Sequence, residues 1–478
     1  MEYKHGTYGH VEPSGETQPT TAEGQAVVYV GTAPIHYTGS TFDGKVNRPL
    51  VIHSMPEAKQ QIGYSDDFDT YTLCEAVHTH FANGVEAIGP IVVINVFDPE
   101  KAKEAGGTAT VALTGGVGVI DDDLLLDTVS IDGKKQGEDF TVEYVDGKVL
   151  LTTLTEIASP VLVTYTKVKP DSVTKSNIIG AIGSDGKKTG IYAIGNIYPL
   201  YGMIPGVLNA PKWSEDSDVR TALEEEAKKI NGKWDAICVA DIPADEVATV
   251  SAAIAYKKEN GVANKRTKLC WPRTKVGGKL VHTSTATAAL MQLVDTKNGG
   301  TPYESPSNKE IGMSGMFLGD GGEVILDFVS ANVLNEIGIT TGVAYDGTTK
   351  LWGPHMANYN SEDGSILVED VTDASIRMNL YLSNEFQRRF LSRVDGPMSR
   401  KMVDNILDES QVWANGLVSD GKLIACKITF DGLDNPANQM AAGDFVFNVK
   451  STNTPVGKSY TFRVKPSTDG LDTLMGGE

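Results

Sequence analysis

Between Leu423 and Lys465 the chain writes sheet pattern three times, and no helix-patterned segment follows to cover it. Leu423-Ile-Ala-Cys-Lys-Ile-Thr-Phe430 alternates, which predicts Ile424, Cys426, Ile428 and Phe430 on one face. Phe445 to Lys450 alternates again. Tyr460-Thr-Phe-Arg-Val-Lys465 repeats the pattern after a Thr454-Pro-Val-Gly-Lys458 spacer, and so groups Tyr460, Phe462 and Val464. A strand leaves a row of unpaired N–H and C=O groups along a free edge, so a late strand needs a ladder partner. That partner is either the chain's own domain or the sheet edge of a neighbouring subunit, and the choice decides what the protein is for.

Bulk properties narrow the class. A chain of 478 residues, 40% of them hydrophobic, can build roughly two to four cored domains. Its 42 basic and 62 acidic side chains leave a net charge of −20, which argues against a nucleic-acid-binding body and for solubility at high local concentration. No stretch approaches the roughly 20 apolar residues of a membrane span. Met1-Glu-Tyr-Lys-His5 lacks an apolar signal core, so synthesis and residence in the cytoplasm are expected. Cys74, Cys238, Cys270 and Cys426 form no CxxC pair and read as small buried hydrophobes, without a metal or disulfide role.

The pattern predicts a multidomain α+β chain. Residues 1–24 have little apolar content and read as an N-terminal arm. Residues 25–99 and 170–345 carry α/β signals. Ala26 to Val30 is a buried strand, Ser54-Met-Pro-Glu57 starts a helix, Asp69 to Asn83 is an amphipathic helix, and Ile91 to Phe97 is a strand covered on both faces. Ala236–Ala240, Ala244–Glu259 and Thr267–Trp271 make a βαβ unit. Residues 100–169, rich in Thr and Val with recurrent Gly turns, read as an inserted, surface-exposed all-β domain. Residues 346–456 form a C-terminal α+β domain with helices over Ala374–Leu391 and Met398–Leu417, and 457–478 a C-terminal arm.

The search for chemistry yields no catalytic, cofactor or metal residues. Cys74 and His78 are one helical turn apart, but His80 lies roughly 200° around from His78, so the two histidines face apart. Gly115-Gly-Val-Gly118 precedes the acidic run Asp121–Asp123, which would repel phosphate, and reads as a turn. Gly319-Asp-Gly-Gly322 offers at most a weak cation site. There is no GxSxG elbow, and Gly312-Met-Ser-Gly315 has the wrong spacing. Asp121–Asp123 and Glu224–Glu226 read as solvated faces rather than paired catalytic carboxylates. Against the acidic whole, Arg388, Arg389, Arg393, Arg400 and Lys401 cluster around a turn at Asp395-Gly-Pro397. They are either helix-end cations paired with nearby acids or a patch facing an acidic tube or neighbour.

The order of several motifs resembles the contractile tail sheath proteins of myophages and phage-tail-like bacteriocins. Val27-Val-Tyr-Val-Gly31-Thr-Ala-Pro34 is similar to that family's opening strand and turn. Leu73 to Gly84 resembles its L-x-x-A-V-x-x-F-F-x-N-G-G helix, with His80 and Val85 as departures. Ser305-Pro-Ser-Asn308-Lys-Glu-Ile311 resembles another segment, and Leu334-Asn335-Glu-Ile-Gly338-Ile339 with Leu351-Trp352-Gly353 resembles its LN-x-x-GI…WG. Val412 to Leu417 and Phe430 to Pro436 resemble its closing domain. The likeness runs from about 25 to 465, is clearest beyond 300, and does not extend to the 100–169 insert.

The resemblance implies a non-enzymatic virion-tail or phage-tail-like-particle subunit, assembled in a bacterial host's cytoplasm, without cofactors. It implies six-fold rings stacked helically around a tail tube, with baseplate and tail terminator as further partners and neither nucleic-acid contact nor membrane insertion. It also implies that both arms add strands to neighbouring subunits. Tyr460, Phe462, Val464 and Arg463 would carry the C-terminal contact, and Tyr3, His5 and Tyr8 the N-terminal one. The rival readings are a cytosolic α/β enzyme with a β insert, or a baseplate or capsid component with β-arms.

Overall fold

Alternation and continuous apolar runs become a doubly wound sheet with two appendages. The computed structural model describes residues 25–39, 41–42, 44–471 and 473. Along the chain come β1 (Ala26–Gly31), β2 (Pro49–Ile52), α1 (Met55–Gln61), α2 (Thr72–Phe81) and β3 (Ile91–Asn95). A β region follows: β4 (Lys103–Val111), β5 (Val117–Ile120), β6 (Ser130–Ile131), β7 (Phe140–Val145), β8 (Lys148–Thr153) and β9 (Val161–Val168). Next are α3 (Lys175–Ile179), α4 (Ile197–Tyr201), β10 (Pro205–Asn209), α5 (Ser217–Glu226), β11 (Ile237–Asp241), α6 (Val250–Glu259) and β12 (Thr267–Cys270). Then β13 (Arg273–Val276), β14 (Lys279–Val281), α7 (Thr283–Lys297), β15 (Met313–Phe317), α8 (Phe328–Asn335), β16 (Ile339–Tyr345) and β17 (Thr348–Trp352). The last elements are α9 (Asp373–Phe390), α10 (Arg400–Ser419), β18 (Leu423–Thr429), α11 (Ala437–Ala442) and β19 (Asn448–Asn453).

The main sheet has the order β17-β16-β12-β11-β10-β1-β3-β2. Its six central strands run parallel, and only the edge strands β2 and β17 are antiparallel. Parallel strands are covered on both faces, which is why β1, β3 and β11 read as unbroken apolar runs and are buried at every position. Their alternate residues part into two cores: Val28, Val30, Val92, Ile94 and Leu208 pack with Trp234, whereas Val27, Tyr29, Ile91, Val93 and Val207 pack under α2 and α7.

Helix starts follow local chemistry. The Ser54, Thr249, Thr372 and Ser399 hydroxyls accept from Glu57, Ala252, Ser375 and Met402 N–H groups. The expected Asp69–Asn83 helix is shorter, because its first residues form the turn that feeds α2.

The 103–168 region folds as two three-stranded sheets, β4-β9-β6 and β5-β8-β7, around a core of its own. In the Asp121–Asp123 run Asp121 is exposed, as expected of a solvated face, but Asp122 and Asp123 are half-buried and correct that expectation. Asp123 accepts hydrogen bonds from Tyr37 (2.9 Å) and Tyr71 (2.5 Å) of the main body, and Asp122 accepts from Tyr165 (2.5 Å). Tyr37 also stacks on Tyr144 at 4.4 Å, so this junction tethers the β region to the core.

At the C-terminal end, α10 presents Val403, Ile406, Ala414 and Leu417 inward, with β18 packed against it. Two expectations change here. A bulge between Leu423 and Ala425 turns Ile424 out to solvent, so it leaves the Cys426–Ile428 face. The second strand begins at Asn448 rather than Phe445, because its ladder starts opposite Thr429.

Candidate assembly interface

A doubly wound sheet has a default ligand site: the crevice at the carboxyl ends of the strands where the winding reverses. Here that point lies between β1 and β10, and the chain's own α2 fills it. Thr72 N donates to Thr32 Oγ1 (3.1 Å), Thr32 N donates to Thr72 Oγ1 (3.3 Å), and Leu73 N donates to Thr32 O (2.9 Å). A Cβ placed on Gly31 would stand 2.3 Å from Thr72 Oγ1, so only glycine lets helix and strand end approach this closely. Lys212 Nζ closes the far side on Asp69 O (2.8 Å).

Beside this stopper lies a buried charged cluster that the sequence did not reveal. His282 donates its backbone N–H and Nδ1–H to the Glu75 carboxylate at 2.9 and 2.7 Å, and its Nε2 is 3.4 Å from Glu215 Oε1. Asp241 Oδ1 accepts from Ser284 N (2.9 Å), and Arg273 pairs with Asp245 (3.0 Å). Burial alone would push the His282 imidazole down, but Glu75, Glu215 and Asp241 outweigh it and lift it to about 10. Burial raises the Asp241 carboxyl to about 6. A cleft of about 290 Å³, lined by Asp66, Asp69, Arg273 and His282, opens here. An imidazole charged at neutral pH cannot accept a proton as a general base, so the cluster acts as a brace between α2, β11 and α7.

His78, His80 and the cysteines are structural. Tyr29 OH and His80 Nε2 are 2.7 Å apart, and His80 Nδ1 donates to Ile88 O (2.9 Å). His78 Nε2 donates to Val276 O (2.9 Å). Cys74, Cys238 and Cys270 are buried thiols, and Cys426 is half-buried.

The surface that remains open is at the C-terminal end. Helix α9 is fixed to the main body by two buried ion pairs, Lys268–Asp373 (2.5 Å) and Arg377–Asp295, and by the Asn384 amide on the Asp235 backbone. Beyond it, β18 and β19 make a sheet of only two strands, so each keeps one edge without a ladder partner among the described residues. Alongside runs a groove of about 880 Å³ lined by Phe386, Phe390, Ile406, Ile428, Phe445, Phe447 and Val449.

The residues singled out from the sequence fall into three groups. Tyr460, Phe462 and Val464 are 78%, 86% and 89% exposed, and Arg463 is exposed beside them in a segment that forms no ladder with the described residues. Tyr3, His5 and Tyr8 lie outside the described residues. The basic cluster is internally paired: Arg388 and Arg389 with Glu385 (2.7 and 3.6 Å), Arg393 with Glu409, and Arg400 with Asp404 (3.0 Å), while Arg389 also lies 4.4 Å over the Trp413 ring. Lys401 is exposed.

The chain as a whole is similar to several known proteins. No family model matches it. The tail sheath protein of Burkholderia phage BcepMu is 27% identical, with the alignment covering 99% of each chain. The tail sheath protein of Escherichia phage P2 is 25% identical over 63% of this chain and 73% of its own. Over its whole length the chain is similar to a tail sheath protein. Among solved structures, the sheath of the extracellular contractile injection system PVC in its contracted state matches with a TM-score of 0.55 at 11% identity, covering 97% of this chain and 99% of that one. The contracted helical sheath of the anti-feeding prophage gives 0.54 at 12% identity, covering 97% and 99%. These structures share the mixed α and β fold described above.

Proposed function

We propose that the protein is the structural subunit of a contractile tail sheath, which polymerises helically around a tail tube and contracts to drive that tube through a target envelope. The observation that carries the strand-exchange part of this reading is the pairing of an unsatisfied donor with an unsatisfied acceptor. Tyr460, Phe462 and Val464 form an exposed apolar row in a segment without a ladder, and the β18–β19 edge and its apolar groove lack a third strand. One copy's segment adding to another's sheet satisfies both, with main-chain hydrogen bonds holding the contact and alternate side chains setting its register. Such a contact is heterologous, so it propagates as a helix instead of closing as a dimer.

In this reading the copies form six-fold rings, the N-terminal segment with Tyr3, His5 and Tyr8 makes a second link, and baseplate and tail terminator bound the array. Host-cytoplasm assembly into a virion tail or tail-like particle belongs to the same proposal, as do the domain limits given above. The enzyme alternative is disfavoured by the filled switch-point crevice and by a charged His282. Deleting residues 458–478 is expected to leave a folded, soluble subunit that forms no sheath tubes; normal tubes in negative-stain images of that deletion would overturn the proposal. The Arg388–Lys401 cluster faces the tube or a neighbour through Lys401. Lys401→Glu should then disrupt tube-bound extended sheaths, and unaltered sheaths would make the cluster purely an α9–α10 brace.

A further inference from the structure

Lys427 of β18 and Lys450 of β19 stand directly opposite each other in the ladder. Both are exposed, on the face opposite to Ile428 and Val449, which line the groove. Their cross-strand neighbours on that face are Ala425 with Thr452 and Thr429 with Asn448, none of them charged. Neither ammonium has a carboxylate within 4.0 Å among the described residues. Directly opposed side chains on a sheet have Cβ atoms about 4.5–5.5 Å apart, and like charges there are destabilising. Other surface cations of this chain, such as Lys175, Lys228, Lys265 and Arg400, do pair with acids. A repelling pair left unneutralised on a small, two-stranded sheet works against the isolated subunit, and the cost is recovered only if an anion arrives from outside.

Strand addition enlarges this feature. Side chains alternate across a strand, so seating Tyr460, Phe462 and Val464 on the groove side places Arg463 and Lys465 on the Lys427–Lys450 side, whichever edge the strand joins. The completed sheet then carries four cations on one face. With 62 acidic against 42 basic side chains, a second copy of this chain carries a net charge of −20 and so offers acidic groups for such a face. We infer that the outward face of the C-terminal sheet is a cationic docking strip that seats on an acidic surface of an adjoining copy. The contribution of Arg463 and Lys465 rests on the strand-addition proposal; that of Lys427 and Lys450 does not.

The test compares the full-length protein with its Lys427→Gln/Lys450→Gln variant, by thermal melting of the soluble subunit and by light scattering with negative-stain imaging of assembly. Relief of the repulsion should leave the variant melting at or above the wild-type temperature. Its assembly should need about tenfold more protein at roughly 50 mM salt and should lose most of the salt sensitivity that the wild type shows as ionic strength rises. Wild-type-like assembly with unchanged salt dependence overturns the inference, and so does a variant that melts earlier and assembles worse in parallel, since that marks a structural role. Running the 458–478 deletion in the same assay separates the two proposals. If that deletion assembles normally, strand addition fails, while the lysine result still stands or falls alone.

Discussion

His282 shows how a residue can be conspicuous in space and silent in sequence. Its partner Glu75 is 207 positions away, in a helix whose other side chains are mostly apolar, and no spacing rule connects the two. The same holds for Asp123, which looks like part of an acidic run and turns out to take hydrogen bonds from two tyrosines of another layer. Charge runs read as solvated because most are; only tertiary contact tells which member turns inward. The cysteines were legible, since an isolated thiol without ligand spacing has few other uses.

The His282 brace has a pH signature. Its folded value, about 10, lies above the ordinary imidazole value, so the stability it supplies is fully present below about pH 6.5 and is lost as pH rises through 10. Urea unfolding from pH 6.5 to 10 should therefore show falling stability. His282→Gln should be less stable by about 3–5 kcal/mol at pH 6.5, because Glu75 is left buried and unpaired, and should be nearly flat over that window. An equal slope in wild type and variant would assign the loss to another group.

At the scale of elements, the strands that pattern alone locates are those buried on both faces. β1 and β3 have no solvent side, so four or five consecutive apolar residues mark them. α9 and α10 were found for the corresponding reason, a one-sided stripe of helical period closed by a hydroxyl cap. β19 was misplaced by three residues because a strand's limits are set by its partner's ladder, which begins at Thr429 opposite Asn448, and alternation cannot anticipate that. The helices are also joined to the body by contacts that no periodicity encodes. Lys268 lies in a strand of the main sheet, is wholly buried, and reaches Asp373 at the first turn of α9 as well as Gly353 O and His355 O. Lys268→Met should cost about 3–5 kcal/mol in urea unfolding by stranding Asp373, and pairing it with Asp373→Leu should recover much of that loss. If the double variant is as unstable as the single, the backbone contacts of Lys268, not the ion pair, hold α9 in place.

Across the whole molecule, α9 is pinned to the core along its first half, whereas the segment after β19 is largely exposed. Removing residues 458–478 should therefore leave the melting temperature within experimental error of the full chain while abolishing polymer formation. A large drop in melting temperature would mean that this segment serves its own fold. The architecture was legible at this scale because parallel and antiparallel sheets write different patterns. The partnership between an open edge and an exposed row was legible only as a need, since a sequence can show that a strand lacks cover but not whose sheet supplies it.

The stopper at Thr32, Thr72 and Leu73 carries a consequence for what the main sheet can admit. Doubly wound sheets that bind small molecules admit them at that crevice, and here the protein's own chain occupies it. Opening that crevice to any ligand would first require parting α2 from the end of β1, at the cost of the paired Thr32–Thr72 contacts.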